Sequence, residues 1–172
     1  NAGKSTLINP LLNEERMIIS DIAGTTLDAI EIPFTFKNNN FLLYDTAGIT
    51  RKSKTLTTIQ KFSIGSTLDT IKTTDICVFM IDAEEGITKQ DKIILNIIKK
   101  FNKAFIIVLN KIDTKSRQEI KELKRELEYF SNIIDNASII LISAINNQNI
   151  KKLLYTISNI SYSIYKRYKS SL

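Results

Sequence analysis

Residues 104–113 read Ala-Phe-Ile-Ile-Val-Leu-Asn-Lys-Ile-Asp, and this stretch decides the fold. Ala104 to Leu109 is an unbroken apolar run, rich in β-branched and aromatic types and too short for a buried helix. Within it, Phe105–Leu109 reads as a strand covered on both faces, the habit of parallel sheets. Asp75–Ile81 and Ser138–Ile142 have the same character. Helical periods fill the intervals. Thr88 and Asp91 make a capping-box start ahead of the stripe Ile93, Ile94, Ile97, Ile98 and Phe101. Ser116 and Glu119 make a second box ahead of Ile120, Leu123, Leu127 and Phe130, and Ile150, Leu153, Leu154, Ile157 and Ile164 line the last helix. Strand and helix in alternation predict an α/β domain with a mainly parallel sheet flanked by helices. Upstream, Ala29–Phe36 and Phe41–Tyr44 flank the polar Lys37-Asn38-Asn39-Asn40, which predicts a hairpin.

The chain has 172 residues, the span of a single domain (1–172). It begins at Asn1 without a signal-peptide pattern, so it reads as a piece of a longer polypeptide. Its apolar runs are too short to span a membrane. One cysteine, Cys77, excludes an internal disulfide, suggests a reducing compartment, and reads as inert strand packing. The absence of histidine excludes chemistry built on an imidazole. A net charge of +6 leans towards polyanionic partners, although a solvated basic surface accounts for it equally well. The same two readings apply to Arg51, Lys52 and Lys54, and to Lys151, Lys152, Lys166, Arg167 and Lys169 near the end of the chain.

Four polar segments stand where an α/β sheet would present its loops. Gly3-Lys4-Ser5-Thr6 matches the end of a phosphate-binding loop, in which backbone N–H groups and a helix N-terminus surround phosphates. The first glycine of that loop, and the strand that feeds it, would lie before residue 1. Alone, such a tetrapeptide is also an ordinary turn. Asp45-Thr46-Ala47-Gly48 follows a strand; its aspartate can reach magnesium through water, and its glycine lets a backbone N–H approach a terminal phosphate. Asn110-Lys111-Ile112-Asp113 follows the decisive strand, and Asp113 can accept two N–H bonds from a guanine edge that adenine lacks. Ser143-Ala144 follows the last strand and can offer a backbone N–H to the guanine oxygen. Between the first helix and the hairpin, Gly24-Thr25-Thr26 is either a turn with hydroxyl caps or a segment whose threonine joins the magnesium shell when a third phosphate is present. Four motifs in this order point to guanine-nucleotide binding.

With these residues in place, the sequence resembles the translation-factor-related P-loop GTPases, and within them the second GTPase domain of the bacterial double-Era-like family (Der, or EngA). Asp21-Ile22-Ala23-Gly24-Thr25-Thr26 looks like that family's first switch, and Asp45-Thr46-Ala47-Gly48-Ile49 with Arg51, Lys52 and Lys54 like its basic second switch. Lys61-Phe62-Ser63, Thr67-Leu68, Ile81 to Thr88 with Gln90-Asp91, and the tail Tyr168 to Leu172 are also similar. The resemblance implies that Asn1, Ala2, Gly3, Lys4, Ser5 and Thr6 surround the phosphates of GTP or GDP, Lys4 touching β and γ. It implies that Ser5 and Thr26 hold magnesium, that Asp45 holds it through water, and that Gly48 senses the γ phosphate. Asn110, Lys111 and Asp113 would read guanine, helped by Ser143 and Ala144. Asn1, the carbonyls of Ser20 and Ile22, and Thr25 would hold potassium.

The implied function is slow, potassium-stimulated GTP hydrolysis in a bacterial cytoplasmic GTPase for large ribosomal subunit assembly. Its implied partners are that subunit and its RNA and the other domains of the same chain, with no membrane. The alternatives are the G domain of a tRNA-modification GTPase, or a non-hydrolysing, nucleotide-gated module that binds the ribosome. Ile49 stands where many GTPases place a water-orienting glutamine, and isoleucine cannot hydrogen-bond water. Hydrolysis would then rest on Lys4, Thr26, Gly48 and the cations. Two further departures are Leu27, where the family has arginine, and Pro10 inside the first helix.

Overall fold

A computed structural model of the chain describes residues 2–13, 17–19, 30–45, 69–133 and 137–170. They fall into two compact units, Asn1–Leu11 with Asp75–Leu172, and Leu12–Thr74.

The larger unit is built on a parallel sheet of β4 (Ile76–Asp82), β5 (Ala104–Asn110) and β6 (Ser138–Leu141), in that order. β5 is central, and Ile106, Ile107, Val108 and Leu109 are 0% exposed, as the continuous apolar run requires. β4 is only half-buried over most of its length and becomes buried at Ile81 and Asp82. The helices are α1 (Lys4–Leu12), α2 (Lys89–Lys100), α3 (Arg117–Ile133) and α4 (Ile150–Ser170). α2 and α4 pack on β4, and α3 and α4 on β6.

Both capping boxes form. Asp91 N–H donates to Thr88 Oγ1 at 3.2 Å while Thr88 N–H donates to Asp91 Oδ2 at 2.9 Å. Glu119 N–H donates to Ser116 Oγ at 3.3 Å, and Ser116 N–H to Glu119 Oε2 at 2.8 Å. The α2 stripe differs from its expected composition. Leu95 and Ile98 are buried whereas Ile93 is 61% exposed, because the buried face is centred one residue later than the isoleucines alone suggest. The α4 face holds, with Ile150, Leu153 and Leu154 buried. Pro10 lies in the last turn of α1, two residues before its end, so the lost backbone bond falls where the helix is stopping. Leu7 and Leu11 anchor that helix.

The smaller unit holds β1 (Met17–Ile19), β2 (Ile30–Phe36) and β3 (Asn39–Asp45), all antiparallel in that order. The expected hairpin is β2–β3, but its turn is two residues, not four. Lys37 and Asn38 take φ of 50° and 62°, the left-handed pair that suits strand twist, and Asn39 and Asn40 enter β3. Phe34 stacks on its cross-strand partner Phe41 at 5.1 Å. β1 was not expected from the sequence. Its described pairing runs from Met17 opposite Phe36 to Ile19 opposite Phe34. Residues 69–73 are helical, with Ile71 buried.

Candidate functional site

The site grows from the carboxyl end of β5. Asn110 is paired with Asp82 across the β4–β5 ladder, and Ala83 N–H donates to the Asn110 carbonyl at 2.9 Å. The Asn110 side chain, 2% exposed, faces other loops. Its Nδ2 donates to the Ala2 carbonyl at 2.9 Å, and its Oδ1 accepts from Ala144 N–H at 3.0 Å. One amide thus ties the start of α1 and the loop after β6 to the end of β5. A buried amide satisfied at both ends has a defined position, which suits it to register loops.

Gly3 completes this tie. It has φ of +84°, and a Cβ there would lie 2.5 Å from Asn110 Nδ2. Backbone conformation and space both therefore demand glycine. Leu7 N–H bonds the Gly3 carbonyl at 3.0 Å, so Gly3 opens α1, whose first-turn N–H groups have no helical partners of their own. That first turn carries no acidic residue. Lys4 and Thr6 are exposed and Ser5 is half-buried, an arrangement able to receive an anion.

Lys111 follows in the left-handed region, φ 65° and ψ 33°. Its Nζ lies 2.5 Å from Asp82 Oδ2 and 2.8 Å from Glu84 Oε2. Asp82 Oδ1 also accepts from Glu84 N–H at 2.9 Å. Burial pushes the Asp82 carboxyl up, but the hydrogen bonds from Lys111 and Glu84 outweigh it and hold the group below its ordinary value. Hydrogen bonds to Asp82 and Glu84 raise Lys111 above the usual lysine range.

Ile112, 7% exposed, plugs a single 3₁₀ turn, Ile112–Thr114, and its N–H donates to the Ile142 carbonyl at 3.3 Å. Thr114 Oγ1 donates back to the Lys111 carbonyl at 2.9 Å. Asp113 is thereby presented to solvent on a braced turn, its carboxylate without a partner among the described residues. Ser143, fully buried, accepts from Asn146 N–H and exchanges two backbone bonds with Gln148, closing the loop after β6. The Ala144 N–H is directed to Asn110 Oδ1. Ile145 beside it is 74% exposed.

The structure therefore gathers Ala2, Gly3, Lys4, Ser5, Thr6, Asn110, Lys111, Asp113, Ser143 and Ala144 in the larger unit. Asp45 closes β3 opposite Ile30, but its side chain lies outside the described residues, as do Asn1, Ser20, Ile22, Thr25, Thr26, Leu27, Gly48, Ile49, Arg51, Lys52 and Lys54. Sequence reasoning gave Asp82 and Glu84 no part in the site. The available signal was a carboxylate ending the apolar strand β4, as Asn110 ends β5.

Residues 1–111 match the family described as 50S ribosome-binding GTPase. GTPase Der of Persephonella marina is 46% identical over 172 residues, an alignment covering 97% of this chain and 38% of that protein. The chain spans about two fifths of the length of such relatives. An Era variant from Aquifex aeolicus bound to GDP and AlF4− superposes with a TM-score of 0.71 at 32% identity, over 94% of this chain and 53% of that one. Era in complex with MgGDPNP and nucleotides 1506–1542 of 16S ribosomal RNA gives 0.70 at 30%, over 94% and 53%. By the family match over residues 1–111 and the identity to these relatives, the chain belongs to the 50S ribosome-binding GTPase family.

Proposed function

We propose that residues 1–172 act as one GTPase domain of a longer protein, binding GTP and hydrolysing it slowly as a timer in assembly of the large ribosomal subunit. The observation that carries this reading is the braced turn at the end of β5. It offers an exposed Asp113 carboxylate, unpartnered among the described residues, while Asn110 holds the start of α1 beside it. A carboxylate so placed can accept two N–H bonds from guanine and none of that kind from adenine.

Magnesium fits the donors this chain supplies. The hydroxyls of Ser5 and Thr26 and the Asp45 carboxylate are hard oxygen ligands, and Ser5 sits in the first turn of α1. When bound, the ion would neutralise charge on the β and γ phosphates. Lys4 would place a mobile ammonium against the same phosphates. Asn1, Ser20, Ile22 and Thr25 would hold potassium, a second fixed positive charge in place of the polar side chain that Ile49 does not provide. Lys151, Lys152, Lys166, Arg167 and Lys169 are exposed on α4 with Tyr162 and Tyr165, a surface suited to ribosomal RNA. No helix among the described residues is long and apolar enough to cross a membrane, and we place the protein in the cytoplasm.

The test is turnover of GTP and ATP with magnesium, in potassium and then in sodium. GTP alone is hydrolysed, faster in potassium, and Lys4→Ala or Ser5→Ala abolishes the reaction. Equal use of ATP would overturn the role of Asp113, and GTP binding without turnover in either salt would leave a nucleotide-gated binding module.

A further inference from the structure

The guanine-type turn is held from a side that its own motif does not reveal. Lys111 stands in a left-handed conformation that is uncommon for a side chain other than glycine or asparagine. Its carbonyl accepts from Thr114 N–H at 3.1 Å and from Thr114 Oγ1 at 2.9 Å, which fixes the residue on the side of the turn. The Lys111 ammonium adds a second constraint by bridging two carboxylates, Asp82 at the end of β4 and Glu84 just after it. Asp82 is the stronger of these, with a side chain only 4% exposed and both oxygens occupied, one by Lys111 and one by Glu84 N–H. Glu84, half-exposed, closes the arrangement at 2.8 Å. Because Lys111 lies between buried Asn110 and buried Ile112, any rotation of its backbone would swing the turn that carries Asp113.

From this we infer that Asp82, assisted by Glu84, is a specificity-determining positioning residue: it holds Lys111 so that the Asp113 carboxylate meets the base edge in register. The ammonium is committed to these carboxylates and is not a free cation for phosphate. The inference rests on the guanine-nucleotide reading above and concerns the fidelity of base recognition within it.

The experiment measures dissociation constants for GDP, inosine diphosphate and ADP on the protein, its Asp82→Asn and Glu84→Gln variants, and Glu128→Gln as a control on the exposed side of α3. Inosine diphosphate lacks the amino group that Asp113 would accept from, so the parent protein prefers GDP by about tenfold or more. In Asp82→Asn, GDP binding weakens by about tenfold, the scale of one hydrogen bond to a charged group. The preference over inosine diphosphate falls to within a factor of about three, because a misplaced Asp113 no longer rewards the amino group. Glu84→Gln, on a half-exposed side chain, shifts the preference in the same direction and less. Glu128→Gln leaves it unchanged. Should Asp82→Asn fail to fold, the Glu84→Gln preference decides. A uniform loss for all three nucleotides with the preference intact would mean that Asp82 only stabilises the fold, and would overturn the inference. A parent protein that binds ADP as well as GDP would overturn the guanine reading itself.

Discussion

Two regions of this chain put ordinary side chains into the same left-handed backbone conformation for different reasons. In the β2–β3 hairpin, Lys37 and Asn38 have φ of 50° and 62°, and the cause is local. The turn closes a ladder over residues 30–45, with Thr35 Oγ1 bonded to Asn40 at 2.8 Å and Asn39 Nδ2 to the Lys37 carbonyl at 3.4 Å. At the end of β5, Lys111 has φ of 65°, and remote contacts are added to the local bonds that Thr114 makes to its carbonyl. Its ammonium is held by Glu84, 27 positions away, and its neighbour Asn110 is tied to Ala144 and Ala2, 34 and 108 positions away. The hairpin spends its strain on making a turn. The β5 loop spends it on aiming a carboxylate, and needs the rest of the unit to keep that aim.

This contrast breaks most sharply at Gly3. Gly3→Ala drives a Cβ towards Asn110 Nδ2 and forces alanine to a positive φ, at a cost of about 2–3 kcal/mol. Chemical denaturation should read that loss, with weakened nucleotide binding beside it. A variant of parental stability would mean that Asn110 yields, and that the tie between the loops is soft.

Glycine at the two left-handed lysines sharpens the comparison, because the relief of backbone strain is the same and the remaining effects differ. Lys111→Gly removes the ammonium from Asp82 and leaves a buried carboxylate without its counter-charge, so it destabilises the fold and lowers GDP affinity. Lys37→Gly keeps every ladder bond and stabilises by about 0.5 kcal/mol. Thermal unfolding of the two variants side by side tests this, and the same sign at both sites would refute the distinction between local and remote causes.

The smallest effect is a pH dependence that separates surface capping from the anchored site. Hydrogen bonds from the Ser116 hydroxyl and backbone N–H, then Lys115, lower Glu119 to about 2 from 4.5. A depressed carboxyl adds stability above its unfolded value, lost as pH falls from about 4.5 towards 2. Amide exchange at the start of α3 should accelerate over that interval, and Glu119→Gln should remove the change. The Asp82–Lys111 pair follows the same rule at its acid end, losing its contribution below the ordinary Asp82 value of 3.8. At its basic end Lys111 is raised, so the contribution is complete below 10.5 and lost only above it. Base recognition should therefore be insensitive to this pair across neutral pH.

Much of the fold was legible in the order of residues. β4, β5 and β6, the two capping boxes and the α4 face rest on periodicities and hydrogen bonds within a few residues, and the structure has them where the patterns put them. The hairpin was legible too, but its turn length was not, because asparagines serve equally well in a turn and in the first strand positions after it. β1 was missed because three residues carry too little pattern. Ile93 and Leu95 exchanged places because an aliphatic residue says nothing of which side the sheet lies on.

For the site, the sequence by itself determined the chemical vocabulary: a glycine-lysine-serine-threonine start, an asparagine-lysine-aspartate turn, and a serine-alanine loop, each after a strand or ahead of a helix. Only the tertiary structure decided their grammar. Asn110 is turned to backbone on two other loops, Ala144 N–H is given to Asn110, and Lys111 is anchored by Asp82 and Glu84. These contacts join segments far apart in the chain, so no spacing rule encodes them. They exist because β4, β5 and β6 end together and bring their last residues within hydrogen-bonding distance.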